Sequence, residues 1–191
     1  MKNIGLFFGS FNPIHFGHLA VAEFFSKQSD LEEVWMIISP QSPFKEVAEL
    51  MENHHRLAIV ELAIQNNSKL KACIEEFDLP KPNYTVDTLK HMKIKYPDHQ
   101  FTLILGEDNV SHIDRWKDYQ NILDNFKIYV YPRSQSEEIP PELLNHPKIK
   151  FFEASPFQVS GTKIREAIKN KKSLTDLIPN SVESYIQKNN L

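Results

Sequence analysis

Six short apolar runs constrain this chain more than any other feature. They are residues 4–8 (IGLFF), 33–38 (EVWMII), 70–74 (LKACI), 101–105 (FTLIL), 126–131 (FKIYVY) and 149–152 (IKFF). Most are apolar at nearly every position, so neither face is left for solvent, and such strands belong in a parallel sheet covered on both sides. Helical patterns lie between them. Residues 19–25 (LAVAEFF) follow the first run, and residues 55–65 crowd Leu57, Ile59, Val60, Leu62 and Ile64 onto one face. Thr85 or a neighbour caps a helix through Val86, Leu89 and Met92 that ends before Pro97. Ser160 opens another through Ile164, Ala167 and Ile168, and a last one covers about residues 181–187. Strands alternating with helices predict a doubly wound α/β domain with a small helical portion at its C-terminal end. Trp35 lies inside an apolar strand and reads as core. Residues 134–147, polar and proline-rich, read as a surface excursion.

At 191 residues the chain is expected to form one domain over 1–191, large enough for a substantial core without staples. The single cysteine, Cys73, excludes an internal disulfide framework and suits a reducing, cytoplasmic setting; it reads as a buried small hydrophobe. A net charge of −3 argues against a broad nucleic-acid footprint, and no apolar segment reaches membrane-spanning length, so neither partner is expected. The sequence leaves room for a homo-oligomer without specifying one.

Ligands of such folds bind at the carboxyl ends of the strands. There the chain reads Gly9-Ser10-Phe11-Asn12-Pro13-Ile14-His15-Phe16-Gly17-His18-Leu19. Two histidines, three apart, thus sit where a strand turns into a helix, and the N–H groups of a helix start attract anions. Neither a G-x-G-x-x-G fingerprint nor a P-loop is present, so phosphate would be bound by His15, His18 and the N–H groups near Ser10 and Phe11. A second stretch, Val159-Ser160-Gly161-Thr162-Lys163-Ile164-Arg165, offers hydroxyls at a helix start and a guanidinium that can fork onto phosphate oxygens.

The first stretch resembles the HxGH motif of the nucleotidyltransferase superfamily, and the second resembles its I-S-S-T-x-x-R motif. Three further segments resemble bacterial nicotinate-nucleotide adenylyltransferases: Tyr84-Thr85-Val86-Asp87-Thr88-Leu89, Gly106-Glu107-Asp108 through Trp116, and Ile178-Pro179 through Tyr185-Ile186. The resemblance runs from residue 4 to residue 186. It implies a Rossmann-like nucleotidyltransferase fold and adenylyl transfer from ATP to nicotinate mononucleotide. It implies His15, His18 and Arg165 as catalytic residues, and Gly9, Ser10, Phe11, Lys45, Ser160 and Thr162 as further ATP contacts. Thr85, Asp108 and Trp116 would hold the mononucleotide, with Trp116 stacking on its pyridine ring. Mg²⁺ would arrive on ATP, with no metal site on the protein. A basic residue near position 45 and an arginine near 133 are usual in that family; no role follows for Arg133. Arg56 opens a helix beside His54 and His55, where charged residues usually face solvent, and stays a lesser candidate.

Two departures stand out: Asn12 where many relatives have Asp, and Gly161 where many have Ser. The alternatives are phosphopantetheine adenylyltransferase or another small nucleotidyltransferase, and a nucleotide-binding regulator without catalysis. The first group lacks the Tyr84-Thr85 and Asp108…Trp116 elements, and intact His15, His18 and Arg165 argue against the second.

Overall fold

The structure is a computed structural model that describes residues 1–41, 43, 50–133, 138–155, 161–170 and 172–191. In chain order the elements are β1 (Lys2–Gly9), α1 (Phe16–Gln28), β2 (Glu33–Ile38), α2 (Asn53–Ile64) and β3 (Leu70–Cys73). Next come α3 (Thr85–Lys95), β4 (His99–Gly106), α4 (Glu107–Val110), α5 (Tyr119–Asn125) and β5 (Lys127–Tyr131). The chain ends with α6 (Pro141–Leu144), β6 (Ile149–Phe151), α7 (Gly161–Lys169) and α8 (Asn180–Lys188). The six strands form one sheet in the order β3-β2-β1-β4-β5-β6, every neighbouring pair parallel. The expected doubly wound α/β architecture is therefore the observed one.

The apolar runs work as the period of two requires. Ile4, Leu6, Trp35, Ile37, Leu103, Leu105, Ile128 and Val130 face one side, with Val86, Leu89 and Met92 of α3 and Ile122 of α5 packed on them. Phe7, Val34, Met36, Ile38, Ile104, Tyr129 and Tyr131 face the other, under Val21 and Phe25 of α1 and Ile59 and Val60 of α2. Trp35 is core, as read, and its indole N–H donates to Glu33 at 2.8 Å. The C-terminal portion docks on the α1–α2 side. There Phe16 N–H donates to Leu177 O at 3.0 Å, and His55 Nδ1 lies 3.0 Å from the Tyr185 hydroxyl.

Cys73 ends β3 and is buried, which pushes its thiol up to about 11. The native protein should therefore react with an aromatic disulfide reagent near neutral pH far more slowly than the urea-unfolded chain. Equal rates would show the thiol to be open.

The order of the strands decides where a ligand goes. From β1 the chain runs outward through β2 to β3, then returns to β4 on the other side of β1. The switch point lies between the carboxyl ends of β1 and β4, where Gly9 and Gly106 end their strands.

Candidate active site

From Gly9 the chain turns tightly into α1. Phe11 has a left-handed backbone, φ 44°, and folds its ring back under the turn. A Cβ at Gly9 would sit 2.8 Å from that ring, so glycine makes the close approach feasible. Phe11 is wholly buried and meets the His18 ring edge-on, with centroids 5.0 Å apart. Its side chain supports His18 and is core. His15 is the N-cap of α1: Nδ1 accepts the His18 N–H at 3.3 Å, which leaves the proton of a neutral His15 on Nε2. The two imidazoles stack at 3.6 Å, 21° from parallel. Asn12 is buried, and its side-chain oxygen accepts the Met51 N–H at 2.9 Å. The Asn12 side chain is thus a structural tie to the start of the α2 segment.

The second motif reaches the first. Arg165, one turn into α7, donates to Asn12 O at 3.3 Å and to Thr162 Oγ1 at 3.3 Å. A Cβ at Gly161 would lie 3.1 Å from the same guanidinium, so glycine there gives it room. Ser160 and Lys45 fall outside the described residues.

A cavity of about 670 Å³ opens at the switch point. Of the residues singled out from sequence, it brings together Gly9, Ser10, His18, Thr85, Asp108 and Trp116. Phe11, His15, Thr162 and Arg165 are not among its lining residues: His15 stacks on His18, which lines it, while Arg165, with Thr162, meets the turn at Asn12. Trp116 ends a 3₁₀ turn, Ile113–Arg115, and is half-buried, with one side against the α3 face of the core. Thr85 begins α3, but the N-cap is Tyr84 and no side chain caps it. The N–H groups of Thr85 and Val86, in the first turn, have no intrahelical partner, and both residues line the cavity. The N-cap of α4 is Gly106, not Asp108. Asp108 lies inside α4, half-exposed, with Oδ1 3.5 Å from Arg133 Nε. That pair folds over Gly106, where a Cβ would come within 2.3 Å of Asp108 Oδ1.

Several residues in and behind the wall carried no sequence signal. Glu76 is buried, holds Thr88 Oγ1 at 2.6 Å, and has its carboxyl raised above the usual range by burial. It stands in an acid-rich stretch that looks solvated. Arg115 and Lys117 line the mouth beside Trp116. Arg56 corrects an expectation outright: far from facing solvent, it is wholly buried. It donates to the carbonyls of Ser10 and Ser39, each at 2.7 Å, and of Met51 at 3.1 Å, and to the Asn53 side chain. A separate cleft of about 540 Å³ lies at the amino ends of the strands, around Phe101 and Lys127, and holds none of the motif residues.

Residues 6–167 match a family model described as cytidylyltransferase-like. A probable nicotinate-nucleotide adenylyltransferase from Flavobacterium psychrophilum is 46% identical over 98% of this chain and 97% of its own length. Another of that name, from Flavobacterium johnsoniae, is 45% identical over the same shares. The chain belongs to the nicotinate-nucleotide adenylyltransferase family. A solved structure of the Plasmodium falciparum nicotinic acid mononucleotide adenylyltransferase, complexed with NaAD, superposes with a TM-score of 0.84. It is 25% identical, over 100% of this chain and 97% of the other. In this member of the nicotinate-nucleotide adenylyltransferase family, the described residues hold no cluster of three or more His, Cys, Asp or Glu fit for a metal ion. No helix among them is long and apolar enough to cross a membrane. The cavity is lined by His18, Arg115, Lys117 and Arg133 as well as by the carboxylates of Glu76 and Asp108.

Proposed function

We propose that this protein transfers the adenylyl group of ATP to the phosphate of nicotinate mononucleotide, forming deamido-NAD and pyrophosphate. One observation carries this reading: Arg165 reaches the Asn12 carbonyl, so the second motif meets the turn whose Gly9, Ser10 and His18 line the cavity that also takes in Trp116 and the start of α3. The names of the relatives give the nicotinate nucleotide and adenylyl transfer.

In this reading the triphosphate lies across the β1–α1 turn. His18 and His15 donate to the α- and β-phosphates, and Arg165 with Ser160 and Thr162 holds the β- and γ-phosphates. Mg²⁺ enters as part of the Mg–ATP substrate. A phosphate oxygen of the mononucleotide forms a bond to the α-phosphorus, while the bond from that phosphorus to the bridging oxygen breaks. The electron pair leaves with pyrophosphate. The monoester dianion is already a nucleophile, so no covalent intermediate and no general base are needed. Catalysis then rests on placement and on donors that meet the charge growing on the leaving group. At the other end, the pyridine ring stacks on Trp116 and the ring carboxylate meets the free N–H groups of Thr85 and Val86. Asp108 and Arg133 lie between, beside the nucleotide.

Pyrophosphate release from ATP with nicotinate mononucleotide, nicotinamide mononucleotide or phosphopantetheine tests the reading. The first should be fastest. Release with phosphopantetheine alone would make the protein a different adenylyltransferase, and release with none would favour the regulator. Trp116→Ala should raise KM for the mononucleotide about tenfold, the worth of a ring stack, with KM for ATP nearly unchanged. A parallel rise in both would place the indole elsewhere.

A further inference from the structure

Two ion pairs cross from the Trp116 loop to α3: Lys117 Nζ to Asp87 Oδ2 at 2.8 Å, and Lys90 Nζ to Asp118 Oδ2 at 3.0 Å. Asp87 and Lys90 share a face of the helix, being three residues apart. The pairs look equivalent, but Lys117 has further contacts. Its Nζ stands 4.6 Å from the centroid of the Tyr84 ring, and Tyr84 is the N-cap of α3. Lys117 also lines the cavity with Thr85, Trp116 and Arg115, whereas Lys90 does not. Its side chain is half-exposed, as is that of Asp87, and such a pair is weakly held. An ammonium has three donors, so Lys117 can keep one on Asp87 and turn another inward.

Asp87 makes this placement matter. It lies in the first turn of α3, beside the N–H groups that would take the ring carboxylate. Left alone, its charge would oppose a second carboxylate at that corner. Lys117 stands at the same corner and cancels it.

We propose that Lys117 is a specificity-determining residue, its ammonium binding the ring carboxylate of the mononucleotide together with the N-terminal N–H groups of α3. The proposal rests on the reading of the Thr85–Trp116 end as the mononucleotide pocket. Lys117 thereby favours the acid over the amide twice, by attracting the carboxylate and by masking Asp87.

The test compares kcat/KM for nicotinate and nicotinamide mononucleotides in the wild type, Lys117→Met and Arg115→Met. In Lys117→Met the acid should lose about tenfold, chiefly through KM, while the amide and KM for ATP hold steady. Asp87→Asn added to Lys117→Met should restore part of the acid's loss by removing the exposed charge. Equal losses for acid and amide would overturn the proposal and reduce Lys117 to a clasp that positions the Trp116 loop. A changed ratio in Arg115→Met with none in Lys117→Met would overturn it in favour of the neighbouring cation. A wild type that turns over neither mononucleotide would overturn the parent reading and this one together; an active wild type whose ratio Lys117→Met leaves unchanged overturns this one alone.

Discussion

His18→Ala is expected to lower kcat by about 10²–10³, the usual effect of removing one donor to transition-state charge. KM for ATP should change far less, because the interaction strengthens as the leaving group gains charge. His18 suits this part by its support. Its ring is stacked on His15 and braced edge-on by Phe11, so it meets the substrate already in place. The variant should fold, since the backbone N–H that bonds His15 Nδ1 remains. Steady-state kinetics with a thermal melt check the prediction. A kcat within a few-fold of wild type would remove His18 from the catalytic set.

The second large effect is on stability. Arg56→Met should cost about 3–4 kcal/mol, because it leaves the buried Ser39 carbonyl and the part-buried carbonyls of Ser10 and Met51 without their donor. Burial lowers the guanidinium's pKa, yet such a group stays charged, and backbone carbonyls solvate it in place of water. Against a typical total of about 5–15 kcal/mol, that loss is a large share. Urea unfolding should show a lower midpoint with an unchanged slope. A loss below about 1 kcal/mol would mean that water replaces the guanidinium well enough. Activity should fall as well, since Ser10 precedes the turn that carries the histidines and Arg56 ties it to the end of β2.

The architecture was readable because its signal is redundant. Every long strand shows an apolar run, and the helices that cover them carry apolar faces. What escaped notice was short or non-periodic. α4 and α6 have four residues each and α5 seven, too few for a period to show. α1 begins at Phe16, ahead of the apolar run at 19, because its cap is a histidine rather than one of the usual small polar residues. The candidate site was legible where side-chain chemistry is unusual: two histidines at a strand end, a tryptophan in a polar run, an arginine after a helix start. It was illegible where ordinary charged residues acquire meaning only from burial or proximity. Nothing in a line of letters separates Arg56, wholly buried, from the exposed His54 two residues before it. Lys117 likewise looks like any loop lysine until α3 brings Asp87 and Tyr84 beside it.

The contact between Arg165 and Asn12 joins positions 153 apart in sequence. The histidine turn emerges early in synthesis, yet its arginine partner arrives only after all six strands have been made. The candidate site therefore cannot be complete in synthesis until α7 has emerged. Bound ATP, gripped from both sides, would act as a staple between the first helix and the C-terminal ones, and its binding energy would add directly to their docking.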